Sequence, residues 1–180
     1  MKLIGFCGLA GSGKSTAIDA VKDLGIVMNM GDVVRDELLR RDIELNDKNL
    51  GKIAKELRDK YGPEVIAKRC MEEIKTMNID TIFVDGLRSM DEVKYFRKQQ
   101  KFPVIAIIIS DKKRFRIIKE RSREDDPKTI EDLNLRDKRE QNFGINEVIK
   151  NANYTIENKS TKSDLKKKTK ELCIKIINNY

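Results

Sequence analysis

The stretch Gly8-Leu9-Ala10-Gly11-Ser12-Gly13-Lys14-Ser15 fits the pattern G-x-x-x-x-G-K-S/T, and no other feature restricts the architecture of the chain as strongly. Lys2-Leu3-Ile4-Gly5-Phe6-Cys7 before it reads as a buried strand. Thr16 to Leu24 after it reads as a helix with Ala17, Ile18, Val21 and Leu24 on one face. A strand that feeds a glycine-rich loop and then a helix lets backbone N–H groups curl around a phosphate. The positive end of the helix dipole lies behind them. In such a P-loop, residues Gly8 to Thr16 cradle the phosphates of a nucleotide such as ATP. Lys14 reaches the β- and γ-phosphates, and the Ser15 hydroxyl ligates Mg²⁺.

A chain of 180 residues predicts one domain with a sizeable core. Its longest apolar run, Phe102 to Ile109, contains Pro103 and is too short to span a bilayer. The first strand runs straight into the P-loop without a secretory pattern, so the expectation is a cytoplasmic protein with no membrane partner. Cys7, Cys70 and Cys173 are odd in number and far apart, with no disulfide framework or zinc spacing. The chain has no histidine, which excludes a His-based triad and leaves acid–base work to Asp, Glu, Lys or Arg. The net charge of +8, from 38 basic and 30 acidic residues, favours anionic partners. Nucleotides satisfy that preference, and RNA is the alternative. Solvated helix faces with i,i+4 pairs account for most of the charges.

The remaining pattern alternates strands with helices. Ile26-Val27-Met28 reads as a second strand, Val33 to Arg41 as a helix, and Leu50, Ile53, Ala54 and Leu57 as the buried stripe of another. Gly62-Pro63 predicts the start of a third helix, with Ile66, Cys70, Ile74 and Met77 facing inward. Thr81 to Asp85 is a buried strand that ends in a carboxylate. Ser89 and Glu92 form a capping box for a helix to about Gln99. Val104 to Ile109 is a strand and Lys112 to Glu120 a basic helix. Arg123 to Lys128 reads as a loop, and Thr129 caps a helix to about Asn142. Tyr154-Thr155-Ile156 is a last strand. Ser163 opens a C-terminal helix that buries Leu165, Leu172 and Ile176. Such alternation predicts an α/β fold with a parallel sheet covered on both faces and ligands at the carboxyl ends of the strands. The P-loop, Asp85 and the segment after Ile109 all lie at such ends. A carboxylate at Asp85 can hold Mg²⁺ directly or through water, and a cap on the following loop is the other reading.

Met30-Gly31-Asp32-Val33-Val34-Arg35 follows the second strand. Gly-Asp-hydrophobic-hydrophobic-Arg at that place resembles the acceptor-binding signature of nucleoside monophosphate kinases, adenylate kinase above all. The resemblance makes Gly31, Asp32 and Arg35 acceptor-binding residues. Asp85-Gly86-Leu87-Arg88-Ser89 looks like a shortened Asp-Gly-Phe-Pro-Arg-Thr loop of that family, which gives Arg88 a grip on the acceptor phosphate. Arg121, Arg123, Arg136 and Arg139 resemble the arginines that flank and follow the kinase lid, where planar guanidinium groups suit a migrating phosphoryl group. With Lys14 and Arg88, Arg121, Arg123 and Arg136 are thereby implied as catalytic. The lid is short, as in dephospho-CoA kinase or shikimate kinase. Asn151 to Asn158 resembles the last strand of these kinases, and the loop after it commonly lines their adenine pocket.

The whole is similar to an archaeal family of adenylate-kinase-related P-loop proteins. It implies a single P-loop kinase domain with a three-layer α/β/α fold and a five-stranded parallel sheet in the order 2-3-1-4-5. Residues 32–77 would form a helical acceptor-binding arm and residues 121–139 a short lid. The implied activity is a Mg²⁺-dependent transfer from ATP to a nucleoside monophosphate, AMP foremost. A hydroxyl acceptor, as in dephospho-CoA kinase, would use a carboxylate base, for which Asp32 is the candidate. An RNA- or ribosome-associated ATPase is the reading from another class, with the Lys159 to Lys170 stretch as its contact.

Overall fold

Period-two alternation along the first strand sets the layers. In β1 (Lys2–Cys7), Leu3 and Cys7 point to one side and Ile4 and Phe6 to the other, and all four are wholly buried. A strand apolar on both faces needs cover on both faces, which is the signature of a parallel α/β sheet. The computed structural model describes the backbone of residues 1–121 and 127–180, and the side chains of these except 111, 112 and 121. In chain order its elements are β1, α1 (Lys14–Asp19), β2 (Ile26–Asn29), α2 (Met30–Arg40), α3 (Asp47–Tyr61), α4 (Val65–Thr76) and β3 (Thr81–Asp85). There follow α5 (Met90–Gln99), β4 (Val104–Ile108), α6 (Asp111–Arg121), α7 (Ile130–Phe143), α8 (Ile145–Lys150), β5 (Tyr154–Glu157) and α9 (Lys162–Asn178). The sheet is five-stranded and parallel in the order β2-β3-β1-β4-β5, as the resemblance implied.

One face of the sheet packs Leu3, Cys7, Ile82, Val84, Val104 and Ala106 against α2 to α5 and α8. The other packs Ile4, Phe6, Phe83, Ile105 and Ile107 against α1 and α9. Phe6 and Phe83 meet edge to face across neighbouring strands, with centroids 6.1 Å apart.

Local signals placed most elements, with informative shifts. The first helix begins at Lys14 and ends at Asp19, not Leu24. Beyond Asp19 the chain continues in i→i+3 turns, Ala20 to Ala17, Val21 to Ile18 and Leu24 to Val21, which keep Val21 buried without a full helix. The second helix starts at Met30 instead of Val33, because the Asn29 side chain caps the Gly31 N–H at 2.9 Å. Gly31 and Asp32 therefore sit in a helical first turn. Gly62-Pro63 lies in a turn, and α4 begins at Val65. The C-terminal helix is capped by Thr161 with Asp164 in a capping box, two residues before Ser163; its inward face buries Leu165, Cys173 and Ile176, with Leu172 partly buried against them. Helix α8 was not foreseen. It is six residues long and shares Gly144, in the left-handed conformation, with the end of α7. The capping box of Ser89 with Glu92 and the cap at Thr129 are present as read, and Asp132 completes a second capping box at Thr129. Most of the expected loop from Arg123 to Lys128 lies outside the described residues.

Candidate functional site at the carboxyl edge of the sheet

The chain leaves β1 into Gly8, whose φ of +143° an L side chain rarely adopts. A Cβ there would lie 2.3 Å from the Ile107 carbonyl. Glycine thus lets the loop run tight against β4 before it turns into α1. Asn158, just past β5, holds the loop from the other side. Its N–H donates to the Ile108 carbonyl at 2.8 Å, and its Nδ2 donates to the Ser12 carbonyl at 3.0 Å. Ala10, Gly11 and Ser12 are buried, and Gly13, Lys14, Ser15 and Thr16 are half-buried. Leu9 leans on the core beneath α2 to α5.

Lys14 and Ser15 open on two clefts at once. The first, an arginine-lined cleft, is bordered by Gly8, Ala10, Lys14, Ser15, Gly31, Arg35, Asp85, Arg88 and Arg136, among others. The second is lined by Gly11 to Thr16 with Ile117, Glu120 and Lys162. A third depression, between Ile108 to Ser110 and Glu157 to Lys159, lies where the chain leaves β4 and β5. The Lys14 Nζ donates to the Gly8 carbonyl at 2.6 Å. Burial lowers the Lys14 pKa, and the carboxylates of Asp85 and Glu140 oppose that shift. Asp85, the last residue of β3, stands in register with Phe6 and with Asn29.

The structure brings Arg35, Arg88, Arg136 and Arg139 to the first cleft. Each holds a carboxylate of the chain. Arg35 pairs with Asp32 at 2.5 Å, Arg88 with Glu140 at 3.4 Å, and Arg136 with Glu140 at 3.2 Å. Arg139 grips both oxygens of Asp47 at 2.8 Å, and Arg136 reaches the same carboxylate at 3.4 Å. Burial pushes the Glu140 carboxyl up, but Arg88, Arg136 and Lys14 outweigh it and bring it down to about 2. Asp32 does not line the cleft. Its carboxylate is 57% exposed and faces Arg35. Thr16 borders only the second cleft of these two. Arg123 and the side chain of Arg121 lie outside the described residues.

Three contributors escaped the sequence reading. Glu140 follows Arg136 by four residues, an i,i+4 spacing that could have revealed it. Asn29 carried an N-cap signal. Asp47 carried none, since its partners are far along the chain.

Among the described residues no cluster of three His, Cys, Asp or Glu side chains could hold a metal by itself. The Ser15 hydroxyl and the Asp85 carboxylate still fit Mg²⁺, a hard cation that takes one or two protein oxygens and completes its shell from substrate phosphates and water.

The AAA domain family profile matches residues 7–134. A UPF0200/UPF0201 protein of Archaeoglobus fulgidus is 42% identical over 99% of this chain, which spans 57% of that relative's length. A UPF0200 protein of Methanosarcina barkeri is 40% identical over the whole chain and 96% of its own length. One of Methanococcus maripaludis is 41% identical over 99% of both. The chain belongs to the UPF0200 family. Among solved structures, TT1252 from Thermus thermophilus superposes with a TM-score of 0.64 at 19% identity, over 97% of each chain. Shikimate kinase from Bacteroides thetaiotaomicron gives 0.60 at 13% identity, over 96% of this chain and 98% of that one. This UPF0200 chain therefore has a P-loop kinase-like fold. Among its described residues no helix is long and apolar enough to cross a membrane.

Proposed function

We propose that the chain is an ATP-dependent phosphotransferase that moves the γ-phosphate of ATP to a nucleoside monophosphate, with AMP as the first candidate. One observation carries the reading. Lys14, Ser15 and Asp85 share a cleft with Arg35, Arg88, Arg136 and Arg139. A P-loop lysine beside converging guanidinium groups suits two phosphates brought end to end. Helices α2 to α4 serve as the acceptor-binding arm, and the segment of residues 121–139 serves as a short lid. Arg121 and Arg123 are retained in the lid as part of this proposal. The reaction is set in the cytoplasm.

Gly8 to Thr16 bind the triphosphate of the donor. Ser15 and Asp85 would hold Mg²⁺, which when bound neutralises charge on the β- and γ-phosphates. Gly31, Asp32, Arg35 and Arg88 would form the acceptor side, with Asp32 orienting Arg35. The acceptor phosphate oxygen forms a bond to the γ-phosphorus as the bond to the β,γ-bridging oxygen breaks, and ADP leaves. A phosphate acceptor already ionised near neutral pH needs no base, in keeping with an exposed Asp32. Lys14, Arg88 and Arg136 offset the charge spread over the transferring group, with no covalent intermediate.

The test is transfer of labelled γ-phosphate from ATP to a panel of nucleoside monophosphates and dephospho-CoA. Label in a nucleoside diphosphate supports the reading. Label in the hydroxyl acceptor alone, or ATP hydrolysis that responds only to RNA, replaces it.

A further inference from the structure

Arg114, on α6, is not among the cleft-lining arginines, yet it is buried to 4% exposure. Its Nε donates to the Ala10 carbonyl at 2.9 Å, near the apex of the P-loop. Its Nη2 donates to both oxygens of Asp137, at 2.5 and 2.7 Å. Asp137 lies on α7 next to Arg136. The backbone of the same turn of α6 presses on the loop. A Cβ on Gly11 would lie 2.6 Å from the Arg114 carbonyl and 3.0 Å from the Ile118 side chain, and the φ of Gly11 is +76°. Ala10, Ile118 and Leu133 close a small apolar cluster around the junction, with Phe115 at its edge. Loop, α6 and α7 thus form one packed unit with a guanidinium at its polar centre.

The bond to Ala10 has a directional consequence. The structure has no cis peptide bonds among the described residues. In a trans peptide the C=O and the following N–H point in opposite directions. With the Ala10 carbonyl drawn into α6, the Gly11 N–H turns away from it. A carbonyl left loose here could swing toward the phosphates and repel them. A fork-shaped cation can hold a carbonyl and a carboxylate together, which an ammonium group cannot do with the same geometry.

We infer that Arg114 is a positioning residue that locks the Ala10–Gly11 peptide in its phosphate-accepting orientation and, through Asp137, makes that orientation depend on α7. The inference rests on Gly8 to Thr16 being the nucleotide cradle. Because α7 also carries Arg136, Arg139 and Glu140, a shift of this helix at the arginine-lined cleft reaches the donor loop through the Arg114–Asp137 link, beside the apolar contact of Leu133.

The experiment measures ATP·Mg²⁺ affinity by calorimetry and melting temperature for the full chain and for four variants. In Arg114→Lys, ATP affinity falls about tenfold while the protein stays folded. In Asp137→Asn, affinity falls severalfold in the parent background and not at all in the Arg114→Lys background, because both changes break one link. Replacing the pair by Arg114→Met with Asp137→Leu removes both charges together, which a packed interior tolerates. That variant melts near the parent yet binds ATP at least tenfold more weakly, a split that a purely structural ion pair does not produce. Folded variants that bind ATP like the parent overturn the inference and leave the proposed function standing. So does full additivity of Arg114→Lys and Asp137→Asn. A parent chain that binds no ATP overturns both. Arg114→Lys decides the matter if the apolar pair does not fold.

Discussion

Arg88 and Glu140 form an ion pair, Nη2 to Oε1 at 3.4 Å, that ties the loop after β3 to α7 across the arginine-lined cleft. Arg136 shares the same carboxylate oxygen. Glu140 therefore keeps two cations beside the P-loop lysine without leaving either uncompensated.

Acid sensitivity follows from that placement. The folded carboxyl is held at about 2 against an ordinary value of 4.5. A depressed folded pKa contributes stability that is present above the unfolded value and lost as pH falls through the folded one. The loss then lies between about pH 4.5 and pH 2 and amounts to roughly 3 kcal/mol. Denaturant unfolding of the parent and of Glu140→Gln at pH 6 and pH 3 is the check. The parent should lose more stability than the variant over that interval. Parallel losses would show that Glu140 is not held ionised by its arginines.

Lys14→Ala should abolish phosphoryl transfer with little change in melting temperature. Its Nζ bonds only loop carbonyls among the contacts seen, at 2.6 and 3.4 Å, and those carbonyls can turn to water. Near-parental turnover would remove the P-loop from the mechanism.

Arg35→Ala and Arg88→Ala should each weaken acceptor binding about ten- to a hundredfold, since a charge-assisted hydrogen bond contributes roughly 1.5–3 kcal/mol. ATP affinity should hardly move. Calorimetric titration with AMP and with ATP separates the two. Variants that lose ATP instead would shift both arginines to the donor side.

Asp85→Asn should raise the Mg²⁺ concentration needed for half-maximal turnover by more than it weakens nucleotide binding, because the amide keeps the shape but loses the charge the cation needs. An unchanged Mg²⁺ titration would leave Asp85 as a structural cap.

Glu92→Ala should cost about 3–5 kcal/mol, read by denaturant unfolding. Glu92 is fully buried. It accepts from Arg58 Nη2 at 2.7 Å and from the backbone N–H groups of Arg88 and Ser89 at 2.7 and 3.1 Å. Its removal strands the Arg58 cation and loosens the turn that presents Arg88. A change under 1 kcal/mol would mean that water replaces the carboxylate there.

What could be read from the chain alone is what is encoded within a few residues. The P-loop, the strand ending at Asp85 and the capping box of Ser89 and Glu92 are local, and each was found at its place. The same Glu92 also holds Arg58, 34 residues away, and Arg139 finds Asp47 across 92 residues. Such partners are chosen by how α3, α5 and α7 stack on the sheet, and no periodicity in the chain announces them. Arg114 reads in isolation as one more charge on a basic helix. Only the packing of α6 on Gly11 turns it inward. Helix boundaries slipped where short caps compete with apolar stripes, as at Asn29 and Thr161.

If the cleft takes the acceptor as proposed, the carboxylates seated on its four described arginines change how it would sort anions. An arriving anion does not fill a vacant socket. It must trade places with Asp32, Asp47 or Glu140. A carboxylic acid offers one negative charge and two oxygens, which is what the arginines already have, so the exchange gains it almost nothing. A phosphate monoester brings up to two charges and three oxygens, enough to outbid the resident groups. On the proposed reading the protein carries its own competitors, and simple monocarboxylic acids would be screened out before any chemistry begins.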